Sequence, residues 1–187
     1  MDKIPPANPV FTKEMEEAAI YALRNEKFIL GESVDKFEEE FAKYIGTKHA
    51  ISVNSGTNAL HLALIAAGLK SSDEVITVAS SYIATSNSIL HANGIPVFCD
   101  INDEYLIDVN QIQKKINQKT KGILPVDLYG NPADMDEINE IAGKNNLFVI
   151  EDCAQSHGSL YKGKKNRITF CNGLFFFLFN KKYDCLW

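Results

Sequence analysis

The stretch that decides the fold is residues 149–158, Val149-Ile-Glu-Asp-Cys-Ala-Gln-Ser-His-Gly158. The apolar run from Leu147 to Ile150 predicts a buried strand, and this strand ends on the acid pair Glu151 and Asp152. In an open α/β sheet, ligands bind at the carboxyl ends of the strands. A carboxylate at that place can hold a protonated ring nitrogen of a flat cofactor. The alternative is a strand-ending Asp that caps the next helix.

Helical and strand patterns alternate on both sides of this stretch. Helices are expected at residues 12–25, 34–45, 58–68, 82–91, 109–116 and 134–143. Strands are expected at residues 49–53, 74–78, 95–99, 122–126 and 147–150. This alternation predicts an α/β fold, a three-layer sandwich with a mostly parallel sheet that helices cover on both faces.

Composition excludes several classes of protein. The chain has 187 residues, enough for one sizeable core, and its net charge of −5 argues against a nucleic-acid partner. Since no apolar run reaches membrane-spanning length and the N-terminus has no apolar signal region, we expect no membrane partner and a cytoplasmic location. The four cysteines are far apart and lack C-x-x-C spacing, so free thiols and no metal site are expected.

Three further features could line a site at the strand ends. Ser55-Gly56-Thr57 lies between an expected strand and a helix, where backbone N–H groups bind phosphate, although most such tripeptides are plain helix caps. Tyr82 follows an expected strand and could stack on a flat cofactor, whereas core packing is the commoner use of such an aromatic. Asp127 ends another strand and either lines the site or orients a loop.

Taken together, these segments resemble the DegT-type family of pyridoxal-phosphate-dependent sugar aminotransferases. The resemblance runs from about Pro5 to Lys165, and its pieces stand in family order. They are Gly31 with Phe37-Glu-Glu-Glu-Phe-Ala42, Asn54-Ser-Gly-Thr-Asn-Ala-Leu60, Asp73-Glu-Val-Ile76, Ser81-Tyr-Ile-Ala-Thr85, Gly94-Ile-Pro-Val97, Pro125-Val-Asp-Leu-Tyr-Gly130 and Glu151-Asp-Cys-Ala-Gln155. The resemblance implies the large domain of an aspartate-aminotransferase-like, fold type I enzyme, followed in the family by a small C-terminal domain, and a homodimer.

The resemblance also implies roles for particular residues. Pyridoxal 5'-phosphate would be the cofactor, with its phosphate bound by Ser55-Gly56-Thr57 and its ring stacked on Tyr82. Asp152 would pair with the ring nitrogen and keep it protonated, and Gln155 would contact the ring face or its oxygen. In the family, a lysine some thirty residues past that Asp forms the Schiff base, and Lys181 occupies the counted position.

The sequence departs from the family after Lys165. The implied division is an N-terminal segment and helix over residues 1–30, a partial cofactor-binding large domain over 31–165 and an aberrant tail over 166–187, without the small domain. Read one base later, A/T-rich codons for Cys171 to Asp184 can spell a family-like motif, so we hypothesise a frameshift near Lys165. We therefore expect this chain alone to be a weak enzyme or none.

The resemblance implies transfer of an amine from an amino acid, usually glutamate, to a nucleotide-linked keto-sugar. Two alternatives stay open. One is the dehydratase branch, where a histidine replaces the Schiff-base lysine, although no histidine follows His157. The other is a non-catalytic remnant of the family.

Overall fold

The computed structural model describes residues 10–165, which form two compact units, residues 10–52 and residues 53–165. Within these residues, none of the helices combines the length and the apolar character needed to cross a bilayer. In chain order, the helices and strands are α1 (Lys13–Asn25), α2 (Glu32–Ile45), α3 (Gly56–Ala66), β1 (Glu74–Val78), α4 (Ile83–His91), β2 (Ile95–Cys99), α5 (Val109–Lys115), β3 (Thr120–Ile123), a 3-10 turn (Leu128–Gly130), α6 (Met135–Asn145), β4 (Phe148–Val149), β5 (Leu160–Tyr161) and β6 (Lys164–Lys165).

The first unit contains α1 and α2, and local signals set their ends. The Thr12 hydroxyl accepts a hydrogen bond from the N–H of Met15 at 3.3 Å and so caps α1. Gly46 ends α2 with φ of 86°, a left-handed conformation that glycine adopts without steric cost. Both helices confirm the expectations from the sequence.

The second unit is built on a four-stranded sheet in the order β2-β1-β3-β4, with all neighbouring strands parallel. Side chains alternate between the two faces of a strand, yet the residues of β1 from Val75 to Val78 are all buried. Helices must therefore cover both faces of the sheet, as the predicted three-layer arrangement requires.

The strands that lead to the site are shorter than predicted, although their ladder continues past them. The predicted strands at 122–126 and 147–150 are regular only over β3 and β4. Beyond these limits the N–H of Ile150 donates to the carbonyl oxygen of Ile123 at 3.1 Å, and the N–H of Asp152 donates to that of Pro125 at 2.9 Å. The parallel alignment of the two segments thus extends to Asp152.

The predicted strand at residues 49–53 is wrong, since this segment forms no strand in the structure. A strand needs the hydrogen bonds of a neighbouring strand, and none of the strands within residues 10–165 pairs with it. The N–H of Ser52 instead donates to the side-chain Oε1 of Glu38 at 2.6 Å, and Ile51 is 83% exposed. The alternation of apolar residues in this segment was therefore not sufficient for it to form a strand.

We predict that Gly122→Ala destabilises the protein by about 1–3 kcal/mol. A Cβ atom at this position in β3 would lie 2.0 Å from Cε2 of Phe148 in β4, so the ring would have to move out of its place on the sheet. Urea unfolding measures the change in free energy.

The matched control is Gly143→Ala in α6, where a Cβ atom meets nothing within 4 Å. This substitution should stabilise the helix by about 0.5–1 kcal/mol because alanine has the higher helix propensity. If Gly122→Ala and Gly143→Ala changed the free energy of unfolding equally, the close approach of Phe148 to β3 would be contradicted.

Candidate active site

Asp152 lies where the ends of β3 and β4 meet. Its N–H donates to the carbonyl oxygen of Pro125 at 2.9 Å, and its own carbonyl oxygen accepts from the N–H of Asp127 at 3.0 Å. These bonds form a parallel bridge between Val126 and Asp152 just beyond the regular strands. Asp152 therefore occupies the carboxyl edge of the sheet, as the sequence predicted, and its side chain is only 4% exposed.

Each oxygen of the Asp152 carboxylate accepts a hydrogen bond. The hydroxyl of Thr85 donates to Oδ2 at 2.9 Å, and the N–H of Ala154 donates to Oδ1 at 3.2 Å. Burial raises the pKa of the Asp152 carboxyl, whereas the hydrogen bonds from Ala154 and Thr85 lower it. A buried carboxylate held in this way is suited to a cationic partner, because an opposite charge favours its ionised form.

Tyr82 stands at the start of α4, directly before the helix that brings Thr85 to Asp152. The backbone of Tyr82 is extended, with φ of −67° and ψ of 145°, and the residue occupies the N-cap position. Its side chain is 62% exposed, so the ring is not part of the core. The stacking role that the sequence assigned to Tyr82 stays a prediction, and an exposed aromatic at the start of the helix that brings Thr85 to Asp152 agrees with it.

Ser55 caps α3, and Gly56 and Thr57 form the first turn of this helix. The Ser55 hydroxyl accepts from the N–H of Asn58 at 3.2 Å, which is the plain capping role considered from the sequence. The N–H groups of the first turn of a helix have no partner inside the helix, and the helix dipole favours an anion there. Since α3 packs against α4, the phosphate-binding prediction for residues 55–57 remains compatible with the structure.

Gln155 has a structural contact that the sequence did not reveal. Its side-chain Oε1 accepts from the N–H of Tyr129 at 2.9 Å. Tyr129 has a left-handed backbone, with φ of 56°, which is strained for a residue other than glycine. Gln155 thus stabilises the 3-10 turn beside the site, and its predicted contact with the cofactor ring stays a prediction.

A second buried acid, Asp127, orients loops next to the site. Its Oδ1 accepts from the N–H of Ala133 at 2.9 Å, and its Oδ2 accepts from the hydroxyl of Ser156 at 3.1 Å. Since Asp127 is completely buried, these bonds replace the water that its carboxylate loses. Of the two roles left open by the sequence, this geometry supports the loop-orienting one.

The side chains of Glu151 and Asp127 are hydrogen-bonded to each other. Polar atoms of Asp127, Glu151 and Cys153 lie within 4.8 Å of one another. Burial, the nearby charge of Asp127 and a hydrogen bond to Asp127 raise the pKa of Glu151 well above its usual value. The carboxyl of Glu151 therefore keeps its proton to higher pH than an ordinary glutamate, which eases the close packing of two carboxyls and a thiol. The sequence marked the acid pair at 151 and 152 but not this partnership.

We predict that Glu151→Gln becomes increasingly stabilising, relative to the wild type, as pH rises above about 4.5. The usual pKa of 4.5 applies to the unfolded chain, whereas the folded chain retains its proton to higher pH. Unfolding therefore releases a proton above 4.5, and the wild type loses stability with rising pH until the folded pKa is passed. Glutamine keeps a donor for Asp127 without this loss. Urea unfolding between about pH 5 and pH 8 should show a relative gain of about 1–3 kcal/mol.

The control for this substitution is Glu140→Gln on the surface of α6. The hydrogen bond and charge of Lys144 lower the pKa of Glu140, so its small contribution has the opposite dependence on pH. A stability difference for Glu151→Gln that stays constant with pH would mean that Glu151 is ionised in the folded protein.

Three of the predicted features fall outside the part of the chain that the structure describes. Lys181, the candidate for the Schiff-base lysine, lies in residues 166–187. The same holds for the aberrant tail and the hypothetical frameshift, which both stay predictions.

Comparison with known proteins identifies relatives along most of this chain. The family model for the DegT/DnrJ/EryC1/StrS aminotransferase family matches residues 9–176, so the match extends past Lys165, where the resemblance was expected to end. GDP-perosamine synthase of Escherichia coli O157:H7 is 47% identical over 135 residues, which cover 72% of this chain and 37% of that protein.

Solved structures show the same fold. PseC of Helicobacter pylori, an aminotransferase involved in the biosynthesis of pseudoaminic acid, superimposes with a TM-score of 0.82 at 30% identity, covering 88% of this chain and 45% of that one. The E. coli GDP-4-keto-6-deoxy-D-mannose-3-dehydratase with bound hydrated PLP gives a TM-score of 0.79 at 33% identity, covering 87% of this chain and 44% of that one.

The chain spans less than half the length of each of these three proteins. The match of the family model to most of its residues, together with the shared α/β fold, nevertheless defines its relationship. The chain belongs to the DegT/DnrJ/EryC1/StrS aminotransferase family.

Proposed function

We propose that this chain is the cofactor-binding part of a pyridoxal-phosphate-dependent aminotransferase that acts on a nucleotide-linked keto-sugar, with an amino acid such as glutamate as amine donor. The observation that carries the proposal is the buried Asp152 carboxylate, which sits at the carboxyl edge of a parallel sheet with a donor on each oxygen. The similarity to GDP-perosamine synthase supports the substrate class.

The donor set in this structure fits pyridoxal phosphate. The Asp152 carboxylate suits the protonated ring nitrogen, the N-terminus of α3 suits the phosphate, and the exposed ring of Tyr82 suits the flat face of the cofactor. These are three chemically different contacts for three different parts of one molecule. When bound, the cofactor supplies an electron sink for negative charge that develops on the substrate carbon.

The residues of this chain would do the following in the reaction. Asp152 keeps the ring nitrogen protonated through its negative charge, and the first-turn N–H groups of Gly56 and Thr57 hold the phosphate. Tyr82 packs on the ring and excludes water from one face. A lysine would take up and return the proton at the substrate carbon, and Lys181 is the candidate for this role.

We further propose a domain organisation, an oligomeric state and a cellular location for the protein. Residues 31–165 would be the first part of the large domain, and the full-length protein would be a homodimer. A cytoplasmic location agrees with Cys99 and Cys153, which are both buried free thiols.

A sugar dehydratase is the second candidate, because a dehydratase with bound PLP is among the structures that this chain resembles. In that branch of the family a histidine takes the place of the lysine, and this sequence has no histidine after His157. The sequence therefore favours the aminotransferase over the dehydratase.

We predict that Asp152→Asn weakens binding of pyridoxamine 5'-phosphate by about tenfold or more, because an amide cannot form the charge-assisted hydrogen bond to a protonated ring nitrogen. Pyridoxamine phosphate is the suitable probe, since its binding requires no covalent bond to a lysine. Fluorescence titration of the purified chain gives the Kd.

Asp108→Asn is the control for this measurement, because the carboxylate of Asp108 caps α5 and accepts from the side chain of Asn110, and asparagine is an equally good cap. It should leave the Kd unchanged. Equal affinities of the wild type and Asp152→Asn would contradict the assignment of Asp152, and no binding to the wild type would favour the non-catalytic remnant.

We also predict that Tyr82→Ala weakens binding of the same probe by roughly two- to tenfold, whereas Tyr82→Phe does not, because stacking uses the ring and not the hydroxyl. Comparison of the three Kd values tests this directly. A loss in Tyr82→Phe as large as that in Tyr82→Ala would assign the contact to the hydroxyl instead of the ring face.

A further inference from the structure

Thr85 is a buried polar residue to which the proposed function assigns no role. It lies in the first turn of α4, its backbone N–H donates to the carbonyl oxygen of Tyr82 at 3.1 Å, and its side chain is 1% exposed. Burying a hydroxyl is unfavourable unless the group forms hydrogen bonds. The partners of this hydroxyl therefore indicate what the residue does.

The Thr85 hydroxyl is directed at the site and not at its own helix. Ser86 and Ser88 in the same helix donate to the carbonyl oxygens of Ile83 and Thr85, the ordinary local bond of a helical hydroxyl. The Thr85 hydroxyl instead donates to Oδ2 of Asp152, which lies 67 residues away in the sequence. A purely local role for this side chain would not need that contact.

The direction of the next hydrogen bond follows from the number of protons. Thr85 Oγ1 and Ser81 Oγ are 2.8 Å apart, and either oxygen could be the donor. Since a hydroxyl has one hydrogen and that of Thr85 goes to the Asp152 carboxylate, the donor here is Ser81. The result is a chain of two hydroxyls that runs from Ser81 through Thr85 to Asp152, in which each bond polarises the next.

These hydrogen bonds connect the two residues that are candidates for contact with the cofactor ring, Tyr82 and Asp152. Ser81 is the residue before Tyr82, so the hydroxyl chain ties the loop that carries the aromatic ring to the carboxylate at the end of β4. The other carboxylate oxygen, Oδ1, is fixed by the N–H of Ala154. With both oxygens held from different sides, the carboxylate of Asp152 has one orientation.

We propose that Thr85 is a positioning residue for the cofactor, in that its hydroxyl holds the Asp152 carboxylate in place for the protonated ring nitrogen and, through Ser81, couples it to the loop of Tyr82. The cofactor part of this inference rests on the proposed function. The hydrogen bonds from Ser81 through Thr85 to Asp152 are present in the cofactor-free protein and can be tested separately.

Electrostatics give Thr85 a measurable effect. Burial and the negative charge of Asp127 raise the pKa of the Asp152 carboxyl, whereas Thr85 and the N–H of Ala154 lower it. Removing the Thr85 hydroxyl takes away one of the two hydrogen-bond donors that lower the pKa of Asp152. The acid form of Asp152 then persists to higher pH, and the acid form cannot pair with a positively charged ring nitrogen.

The test compares Thr85→Val, which keeps the shape but removes the hydroxyl, with Thr85→Ser, which restores a hydroxyl. Thr77→Val is the matched control, because Thr77 is equally buried and its hydroxyl donates to the carbonyl oxygen of Leu124 at 2.8 Å, away from Asp152. The pKa of the Asp152 carboxyl is measured by carbon-13 NMR on the cofactor-free chain with labelled aspartate, assigned with Asp152→Asn. The Kd for pyridoxamine 5'-phosphate is measured on the same samples.

We expect Thr85→Val to raise the pKa of Asp152 and to weaken binding of pyridoxamine phosphate by about tenfold. Thr85→Ser should restore both values toward the wild type, and Thr77→Val should change neither. Ser81→Ala, a substitution in a half-buried loop, should shift both in the same direction by a smaller amount, and it supplies the test if Thr85→Val does not fold.

The positioning role is overturned if Thr85→Val and Ser81→Ala leave the Asp152 pKa and the Kd as Thr77→Val does. It is also overturned if Thr85→Ser fails to restore what Thr85→Val loses. If the wild type does not bind pyridoxamine phosphate, the proposed function fails, and the titration of Asp152 still decides whether Thr85 holds its carboxylate.

Discussion

The hydrogen bonds that join the ends of β3 and β4 are the constraint on which the site depends. The N–H of Asp152 donates to Pro125 and its carbonyl oxygen accepts from Asp127, so the chain is held through both backbone polar groups of one residue. Pro125 and Asp127 flank Val126, the partner of Asp152, so these two bonds continue the ordinary ladder of a parallel pair of strands. This pairing brings two acidic residues, Asp127 and Asp152, together at the carboxyl edge of the sheet.

The two acids meet different surroundings, and this difference separates their roles. Asp127 is surrounded by donors from neighbouring loops and by a hydrogen bond with Glu151, so its charge is used inside the protein. Among the residues that the structure describes, Asp152 receives one hydroxyl and one backbone N–H, and burial works against its charge. A cation bound beside Asp152 would relieve that opposition. The same sheet edge thus supplies one acid that fixes loops and one that is suited to a charged ligand.

The loops around the site are stabilised by polar side chains that could instead form hydrogen bonds with a ligand. Gln155 uses its side-chain oxygen to stabilise the left-handed backbone of Tyr129, and Ser159 donates its hydroxyl to the carbonyl oxygen of Gly130 at 2.7 Å. Tyr129 also packs edge-on against Tyr105, which has a left-handed backbone as well, with φ of 63°. Strained residues persist where their surroundings over-determine them, and here the contacts with Gln155 and Tyr105 hold the strained Tyr129.

The sequence by itself determined the alternation of helices and parallel strands, the helix ends at Thr12 and Gly46, and the place of Asp152 after a buried strand, because caps, glycines and apolar periodicity act over a few residues. It did not determine whether residues 49–53 form a strand, since a strand exists only where a partner offers hydrogen bonds. Nor did it reveal that the hydroxyl of Thr85 donates to Asp152, or that Glu151 and Asp127 are hydrogen-bonded. Those contacts join residues far apart in the chain, and their geometry depends on the order of the strands and on burial, which only the tertiary structure decides.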